Sequence, residues 1–280
     1  MNRLLWIACA AMLGAQTRGI VPEDLIKARP APAAAKPAAA PKPRYQPVGA
    51  PPVLTAANVK QVGVTIWKLR PALAADQGAR ILVQEPASTL ELIPERVGSG
   101  TALNAGDRVR ISIEAGSSGY LYVIDRERYA SGEGDAYLIF PTTRTRGGDN
   151  RVTAGKLIEI PAQEDQPNYF TLRRSRPDQT GEELLVIVSE APLDGITIGP
   201  SAIKLTAAQV RQWELDGKGK VERFELSGGA GKAWTRSEQQ AGQSGTRVLT
   251  QEEPPPQTVY RVAPGAGKPA LVRVELRMAK

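Results

Sequence analysis

Four acidic side chains lie close together in the segment GYLYVIDRERYASGEGDAYLIFP, residues 119–141. They are Asp125, Glu127, Glu133 and Asp135, and glycines between the acids permit turn conformations. Such carboxylates could ligate Ca²⁺, or two of them could form an acid–base pair. However, the residue spacing of an EF-hand loop is absent, and two arginines dilute the negative charge. A solvated hairpin tip is therefore favoured over a metal loop or a catalytic pair.

Two loops are rich in arginine. The first, TTRTRGGDNR, contains Arg144, Arg146 and Arg151, and the second, LRRSRPD, contains Arg173, Arg174 and Arg176. A guanidinium group offers a bidentate fork to phosphate and carboxylate groups. If the fold brings the two loops together, they could bind such a ligand. The alternative is that they are separate solvated loops.

Two further patterns suggest binding or catalysis. Tyr120 and Tyr122 are two residues apart, so in a strand they would form an aromatic strip on one sheet face. The strip could stack on sugars or receive a partner, unless loops or residues 227–256 cover it. Ser201 and Lys204 are three residues apart, which is a weak signal for Ser–Lys catalysis without an oxyanion site.

The sequence has no histidine and one cysteine, Cys9. If Cys9 is removed with a signal peptide, the mature chain has no Cys nucleophile, Ser-His-Asp triad, usual zinc ligand set or disulfide. We therefore expect a protein that is not an enzyme and needs no cofactor. Carboxylate chemistry, Ser–Lys chemistry or an oxygen-ligated metal would be the remaining options.

The first residues, MNRLLWIACAAMLGAQ, have the layout of a secretory signal peptide: a basic start, an apolar run and small residues at its end. Cys9 lies inside the apolar run, so cleavage near Ala15 is favoured over lipid attachment at Cys9. The run is too short to span a bilayer, which needs about 20 residues. We expect residues 1–15 to be removed and the protein to be exported, to the periplasm or outside the cell, with no transmembrane span.

Residues 16–52 are predicted to be a linker, because they contain the Pro/Ala/Lys tract KARPAPAAAKPAAAPKPRYQPVGAPP. Closely spaced prolines favour extended polyproline II, so the tract is predicted to be a semi-rigid spacer. It could instead contact anionic wall polymer or lipid headgroups. Residues 1–44 carry seven basic and two acidic residues, which account for +5 of the net charge of +7. Nucleic-acid binding is therefore not expected, since the positive charge is on a tail rather than on the folded domain.

The rest of the chain is dominated by short strand patterns. Residues 107–114 and 270–277 alternate apolar and polar side chains, which predicts one buried and one solvated face. Residues 120–124 and 183–189 are apolar on both faces, as expected of central strands. Further strands are predicted over 62–69, 79–85, 136–141, 156–161 and 168–172. The protein is therefore predicted to be mainly β, an antiparallel sandwich or barrel of about eight or nine strands; we take the sandwich as the fold of a single domain over 53–280.

One or two short helices are predicted in a C-terminal extension. Thr206 and Gln209 have the spacing of a capping box at the start of a helix over 205–215. The region 200–260 is otherwise predicted to be a mobile insertion, because residues 227–256 are rich in Gly, Gln and Pro. A second short helix could begin at Thr235, with Glu238 three residues later. The strand over 270–277 places this insertion within the domain.

Four segments occur in a characteristic order: GDRVRISIEAGSSGYLYVIDRE, YLIFPT, NRVTAGKLIEIP and GEELLVIVSEAP. Together they resemble the bacterial extracytoplasmic domain of unknown function 4384 family, over about residues 62–193. The resemblance implies a β-rich accessory domain for sensing or binding. Members often accompany kinase, caspase-like peptidase or repeat modules, so here we expect the partner to be a separate protein. The shared motifs are turns and core strands, and the resemblance implies no catalytic residue.

The leading hypothesis is an exported, non-enzymatic module that binds a protein partner in the cell envelope. The alternative is a module that binds cell-wall or surface polysaccharide through the tyrosine strip and the arginine loops. A hydrolase that uses carboxylates is the third class. The sequence does not identify the ligand.

Overall fold

The computed structural model describes residues 23–32, 43–50, 53–54, 58–74, 76, 81–85, 88–243 and 247–280. The predicted signal peptide over 1–15, with Cys9, lies outside the described residues, as does the spacer segment 33–42. Within the described part of the chain, no helix combines the length and apolar character needed to cross a membrane.

The described residues contain three α-helices, a short 3₁₀ helix over Arg146–Gly148 and fifteen strands. The α-helices are α1 (Glu23–Lys27), α2 (Ala207–Asp216) and α3 (Arg236–Gly242). The strands are β1 (Tyr45–Val48), β2 (Lys60–Pro71), β3 (Ile81–Glu85), β4 (Ser88–Val97), β5 (Arg108–Ala115), β6 (Gly119–Tyr129), β7 (Gly132–Phe140), β8 (Arg151–Val152), β9 (Leu157–Ile160), β10 (Phe170–Thr171), β11 (Gln179–Ser189), β12 (Ile203–Lys204), β13 (Lys220–Leu226), β14 (Thr258–Ala263) and β15 (Ala270–Arg277).

The strands form two antiparallel sheets. The six-stranded sheet has the order β12-β7-β6-β11-β15, and β8 also pairs with β6. The nine-stranded sheet is organised around the long strand β2, which pairs with β5 on one edge and with β14 and then β4 on the other. Strands β13 and β1 extend the sheet beyond β14, β3 extends it beyond β4, and β9 and β10 flank β5. The predicted mainly β, antiparallel sandwich is confirmed, but the described residues form fifteen strands rather than about eight or nine.

The main core lies between the two sheets. Val109, Ile111 and Ile113 of β5 pack there with Val186 and Val272 of the other sheet. The alternating pattern of β15 also holds, because Arg273, Glu275 and Arg277 are exposed. These apolar positions follow the period of two that a strand with one face on the core requires.

The outer face of β5 differs from the prediction of a solvated face. Arg110, Ser112 and Glu114 are each no more than 2% exposed. The described part of the segment 227–256, predicted to be a mobile insertion, lies over this face instead, over 227–243 and 247–256. Trp234 packs edge-on against Trp67 with the ring centroids 6.3 Å apart. The insertion is held because its few apolar side chains, among them Trp234, Ala241 and Leu249, are buried.

The N-terminal segment covers the same outer face. Leu25 is fully buried, and the Arg29 guanidinium donates two hydrogen bonds of 2.7 Å to the Glu114 carboxylate. Arg29 also donates to three backbone carbonyls in the segment that follows Leu249, those of Thr250, Glu253 and Pro254. Residues 45–48 form β1 and pair with β13. The fold therefore includes residues that the sequence assigned to the linker over 16–52, and it begins before position 53.

The outer face of the six-stranded sheet is covered by α2. Val210 and Trp213 of this helix pack with Ile124 and Leu185 of the sheet. The predicted N-terminal cap is present, since the backbone N–H of Gln209 donates to Thr206 Oγ1 at 3.2 Å. The second predicted helix also forms, as α3. Thr235 and Glu238 make a complete capping box at its start.

Candidate binding groove, arginine loops and acidic cluster

The four acids of the β6–β7 hairpin do not form one cluster. Glu133 forms salt bridges with Arg126 at 2.7 Å and Arg128 at 2.6 Å, and Asp135 pairs with Lys204 at 2.5 Å. In β6, Asp125 and Glu127 alternate with these arginines and share the core-facing side with Val123. No group of three or more metal-ligating side chains that could hold an ion occurs in the described part of the chain.

Asp125 and Glu127 instead form an acidic cluster with Glu182, a residue that the sequence analysis did not single out. Glu182 of β11 lies directly opposite Glu127 in the strand register. Burial, reinforced by the charge of Glu127, raises the pKa of Asp125 to about 7. Burial, with the charges of Asp125 and Glu127, raises the pKa of Glu182 to about 8. The Oδ1 atom of Asp125 is buried with no hydrogen-bond partner among the described residues. This cluster therefore holds protons at neutral pH.

The two arginine loops lie at opposite ends of β6. Arg151 is the strand partner of Tyr120 at the start of β6. At the other end, the Arg176 guanidinium lies 4.1 Å from the ring centroid of Tyr129. A strand rises about 3.3 Å per residue, so these ends are on the order of 30 Å apart. The arginine loops therefore do not form the joint site considered from the sequence.

In the second loop, two of the three arginines form hydrogen bonds or salt bridges with neighbouring groups of the protein. Arg174 donates to the backbone carbonyls of Gln179 and Ala279. Arg176 forms a salt bridge with Asp178 at 3.1 Å, and Arg173 is exposed. In the first loop, Arg144 and Arg151 are exposed, whereas the Arg146 side chain is only 10% exposed.

The tyrosine strip is covered. Tyr122 is 3% exposed and belongs to the apolar cluster beneath α2, where its hydroxyl accepts a hydrogen bond of 3.0 Å from the backbone N–H of Leu193. Tyr120 is half-buried against the same cluster. Burial of Tyr122 removes the open aromatic surface on which a sugar could stack.

The candidate binding site is a groove at the side of the sandwich, where β7 of one sheet and β9 of the other end in prolines. We name it the lateral groove; its volume is about 240 Å³. Its walls are mostly apolar or aromatic and consist of Ile139, Pro161, Pro167, Tyr169, Phe170 and Pro200. This site could not be predicted from the sequence, because the wall residues come from loops and strand ends that are far apart in the chain.

Thr142, Arg144, Thr145, Asp165 and Ser201 supply polar groups to the lateral groove. Asp165 Oδ2 accepts hydrogen bonds from Thr145 Oγ1 at 2.6 Å and from the backbone N–H of Ala162 at 2.8 Å. This carboxylate is therefore occupied in holding the two loops. Arg144 is exposed and donates to the Gln166 carbonyl. The groove thus presents apolar walls with one exposed cation.

A second depression, of about 350 Å³, lies beside α1 and includes Lys60 and Arg261. Both cations are paired: Arg261 with Glu222 at 2.6 Å, and Lys60 with Glu190 at 2.7 Å. This depression has less apolar surface than the lateral groove, and neither Lys60 nor Arg261 is an unpaired cation. The lateral groove is therefore the better candidate for binding a partner.

Residues 102–192 match the family model described as domain of unknown function (DUF4384). The family prediction is confirmed, and the matched part lies within the predicted range 62–193. It contains strands β5 to β11, both arginine loops and most of the lateral groove. A search of curated proteins and a search of solved structures each gave no match.

Proposed function

We propose that this chain, with its DUF4384 domain at residues 102–192, is a non-enzymatic binding module for a protein partner in the cell envelope. The observation that carries the proposal is the lateral groove, with apolar walls and the exposed Arg144. Tyrosine, phenylalanine and arginine are enriched in protein interfaces, and all three occur in or beside this groove.

The size of the groove favours part of a protein over a small molecule. Pockets that enclose a small ligand have volumes of about 300–1,000 Å³. A groove of 240 Å³ has room for one or two side chains of a longer segment. The remainder of that segment would lie across the surface of the domain.

The walls also favour an extended segment. Tyr169, Phe170 and the surrounding prolines form a surface of rigid rings, and aromatic-lined grooves of this kind bind extended, proline-containing peptides. Arg144 would pair with a carboxylate in the same segment, because a guanidinium binds carboxylates with good geometry. The proposed ligand is therefore an extended apolar segment, containing proline, with one acidic residue.

The groove residues support binding more than catalysis. The Asp165 carboxylate accepts two hydrogen bonds that hold the loops together. Ser201 lines the groove, but Lys204 Nζ pairs with Asp135 at 2.5 Å. A polysaccharide-binding role has less support, because Tyr122 is covered. Export is proposed from the signal-peptide pattern of residues 1–15 alone.

The test places a photo-reactive amino acid at Ala202, in the groove, in cells that export the protein. Matched labelling at Arg277 serves as a control, because Arg277 lies on β15, the opposite edge of the six-stranded sheet from β7 and β12. We expect one envelope protein to crosslink at Ala202 and not at Arg277. Arg144→Glu should abolish this crosslink, whereas Arg277→Glu should leave it unchanged.

The captured protein is then tested directly. Its crosslinked segment, as a synthetic peptide, should bind the purified domain in calorimetry, and replacing its acidic residue by an amide should weaken binding at least tenfold. Equal binding of the peptide to wild type and to Arg144→Glu would refute the proposed groove. Pelleting with protein-stripped cell wall at moderate salt, lost in Arg144→Glu, would instead support the polysaccharide alternative.

A further inference from the structure

The first arginine loop has an unusual backbone. Arg146 has φ of 55°, and it is the one residue other than glycine with a positive φ in the described part of the chain. Gly147 and Gly148 follow with φ of 63° and 87°. The left-handed conformation is unfavourable for a residue with a side chain, by about 1 kcal/mol. Glycine would fit position 146 without this cost, so the arginine side chain itself needs an explanation.

The Arg146 side chain is only 10% exposed, yet it is poorly paired. Its Nε atom is buried and has no hydrogen-bond partner among the described residues. Its Nη2 atom lies 3.9 Å from Asp149 Oδ2, which is longer than a hydrogen bond. Burial lowers the pKa of this guanidinium, although Asp149 and Glu164 oppose the effect. A buried, incompletely paired cation is costly unless a ligand compensates it.

Two more cations approach the same carboxylate. Lys156 Nζ lies 3.7 Å from Asp149 Oδ2, and Arg151 Nε donates to Asp149 Oδ1 at 2.9 Å. Burial and the charge of Arg146 lower the pKa of Lys156. Three cations therefore surround one carboxylate, and Glu164 supplies the other negative charge near Arg146. The positive charge at this place exceeds the negative charge.

We propose that Arg146, Arg151 and Lys156 form a binding site for a phosphoryl group. Donors from three separate side chains match a phosphoryl group, which has three strong acceptor oxygens, better than they match a carboxylate, which has two. The site is independent of the lateral groove, where Arg144 is the cation. The strained backbone at Arg146 then has a function, since it places a guanidinium where Lys156 and Arg151 converge.

The loop is held rigidly enough to form such a site. Thr145, the residue before Arg146, is anchored by its hydrogen bond of 2.6 Å to Asp165. Asn150 donates to the Leu121 carbonyl at 3.0 Å and its own carbonyl accepts from Leu121 N–H at 2.9 Å. These two anchors fix both ends of the loop, at Thr145 by the Asp165 loop and at Asn150 by β6. The buried Arg146 is therefore held in place before a ligand arrives, while the exposed Arg151 side chain can adjust to the ligand.

The test is calorimetric titration of the full chain with inorganic phosphate, with chloride at matched ionic strength as the reference. We expect saturable binding of one phosphate per chain. Lys156→Gln and Arg146→Gly should each weaken it at least tenfold, while Arg277→Gln, which removes a distant arginine, should leave it unchanged. Arg146→Gly should also raise or preserve the melting temperature, because glycine relieves the backbone strain. A residue with only a structural role would lower it.

The source of the phosphoryl group is then distinguished with vesicles that contain phosphatidylglycerol. Pelleting that free phosphate inhibits, and that Lys156→Gln abolishes, would identify a lipid headgroup as the ligand. Phosphate binding without such pelleting would identify free phosphate or a soluble phosphate ester. No saturable phosphate binding by the wild-type chain, or an equal loss in Arg277→Gln, would overturn the proposal.

Discussion

The acidic cluster of Asp125, Glu127 and Glu182 predicts an unusual dependence of stability on pH. Burial raises the pKa of Asp125 from 3.8 to about 7 and that of Glu182 from 4.5 to about 8. In the unfolded chain both groups lose their protons near their ordinary pKa values. Between about pH 5 and pH 8, the folded state therefore binds more protons than the unfolded state. The free energy of unfolding must fall as the pH rises through this range.

The magnitude follows from the two pKa changes. A difference of one pKa unit corresponds to about 1.4 kcal/mol, so either carboxylate alone would contribute about 4–5 kcal/mol. The two effects overlap, because protonation of one acid relieves repulsion of the other. Both side chains are also half-buried rather than fully buried. For the whole cluster we expect a loss of about 3 kcal/mol between pH 5 and pH 8, which is a large part of the stability of a typical domain.

The assay is urea unfolding of the wild type and of Asp125→Asn/Glu182→Gln at several pH values between 5 and 8. The amides imitate the protonated acids, so the double variant should match the wild type near pH 5 and be about 3 kcal/mol more stable at pH 8. Asp194→Asn is the matched control, because Asp194 is an exposed acid in a loop. It should retain the full pH dependence.

The predicted role of the acidic cluster would be refuted by a double variant that loses stability with pH as steeply as the wild type does. A wild type whose stability rises between pH 5 and pH 8 would refute it as well. Such a rise in stability would mean that the carboxylates bind cations from solution or that water enters the cluster.

Three further changes test the packing of the outer face of the nine-stranded sheet. Arg29→Ala should reduce the free energy of unfolding by about 3–5 kcal/mol in urea, because it leaves Glu114 charged and buried. Exposed Lys27→Ala should have little effect in the same measurement. Trp234→Ala should cost about 3–5 kcal/mol in the same assay by removing a buried side chain that packs on Trp67; a cost below 1 kcal/mol would contradict this packing. Thr235→Ala should cost about 1 kcal/mol by removing the cap of α3, and Thr235→Ser, which keeps the hydroxyl, should recover most of it.

The strands with clear apolar periodicity could be predicted from the sequence. All nine predicted strands are present in the two sheets, although their ends differ by a few residues. Strand β13 and the start of β14 were missed because they fall within the region 200–260, which was predicted to be a mobile insertion. The two-residue strands β8 and β12 are too short to produce a periodic pattern.

Coverage of the sheets could not be predicted, because it depends on segments far away in the sequence. The alternation of β5 indicated one solvated face, but residues 227–243 and 247–256, together with the segment around Leu25 and Arg29, bury that face. For the same reason the sequence left open whether loops or residues 227–256 cover the tyrosine strip; in the structure it is α2 that covers Tyr122. Local patterns specify which residues share a face, but not what lies against that face.

The functional residues could likewise be recognised by type from the sequence, whereas their arrangement in space could not. Arg146 and Arg151 could be singled out by type, but only the register of β6 shows that the two arginine loops are separate. Glu182 stands in a strand pattern with no distinctive spacing, and its role depends on pairing opposite Glu127. The lateral groove depends on prolines and aromatic residues from several loops, which no single motif contains.

The buried contacts of Arg29 also constrain the order in which this chain can fold. Arg29 bonds to carbonyls 221 to 225 positions later in the sequence. During synthesis the N-terminal residues emerge first, so Arg29 must wait for nearly the whole chain before these bonds can form. Contacts of such large sequence separation form late, because closing a long loop costs entropy before the contacts compensate for it. We therefore expect the two sheets to assemble first, with the Arg29 segment and residues 250–254 closing over Glu114 as the last step.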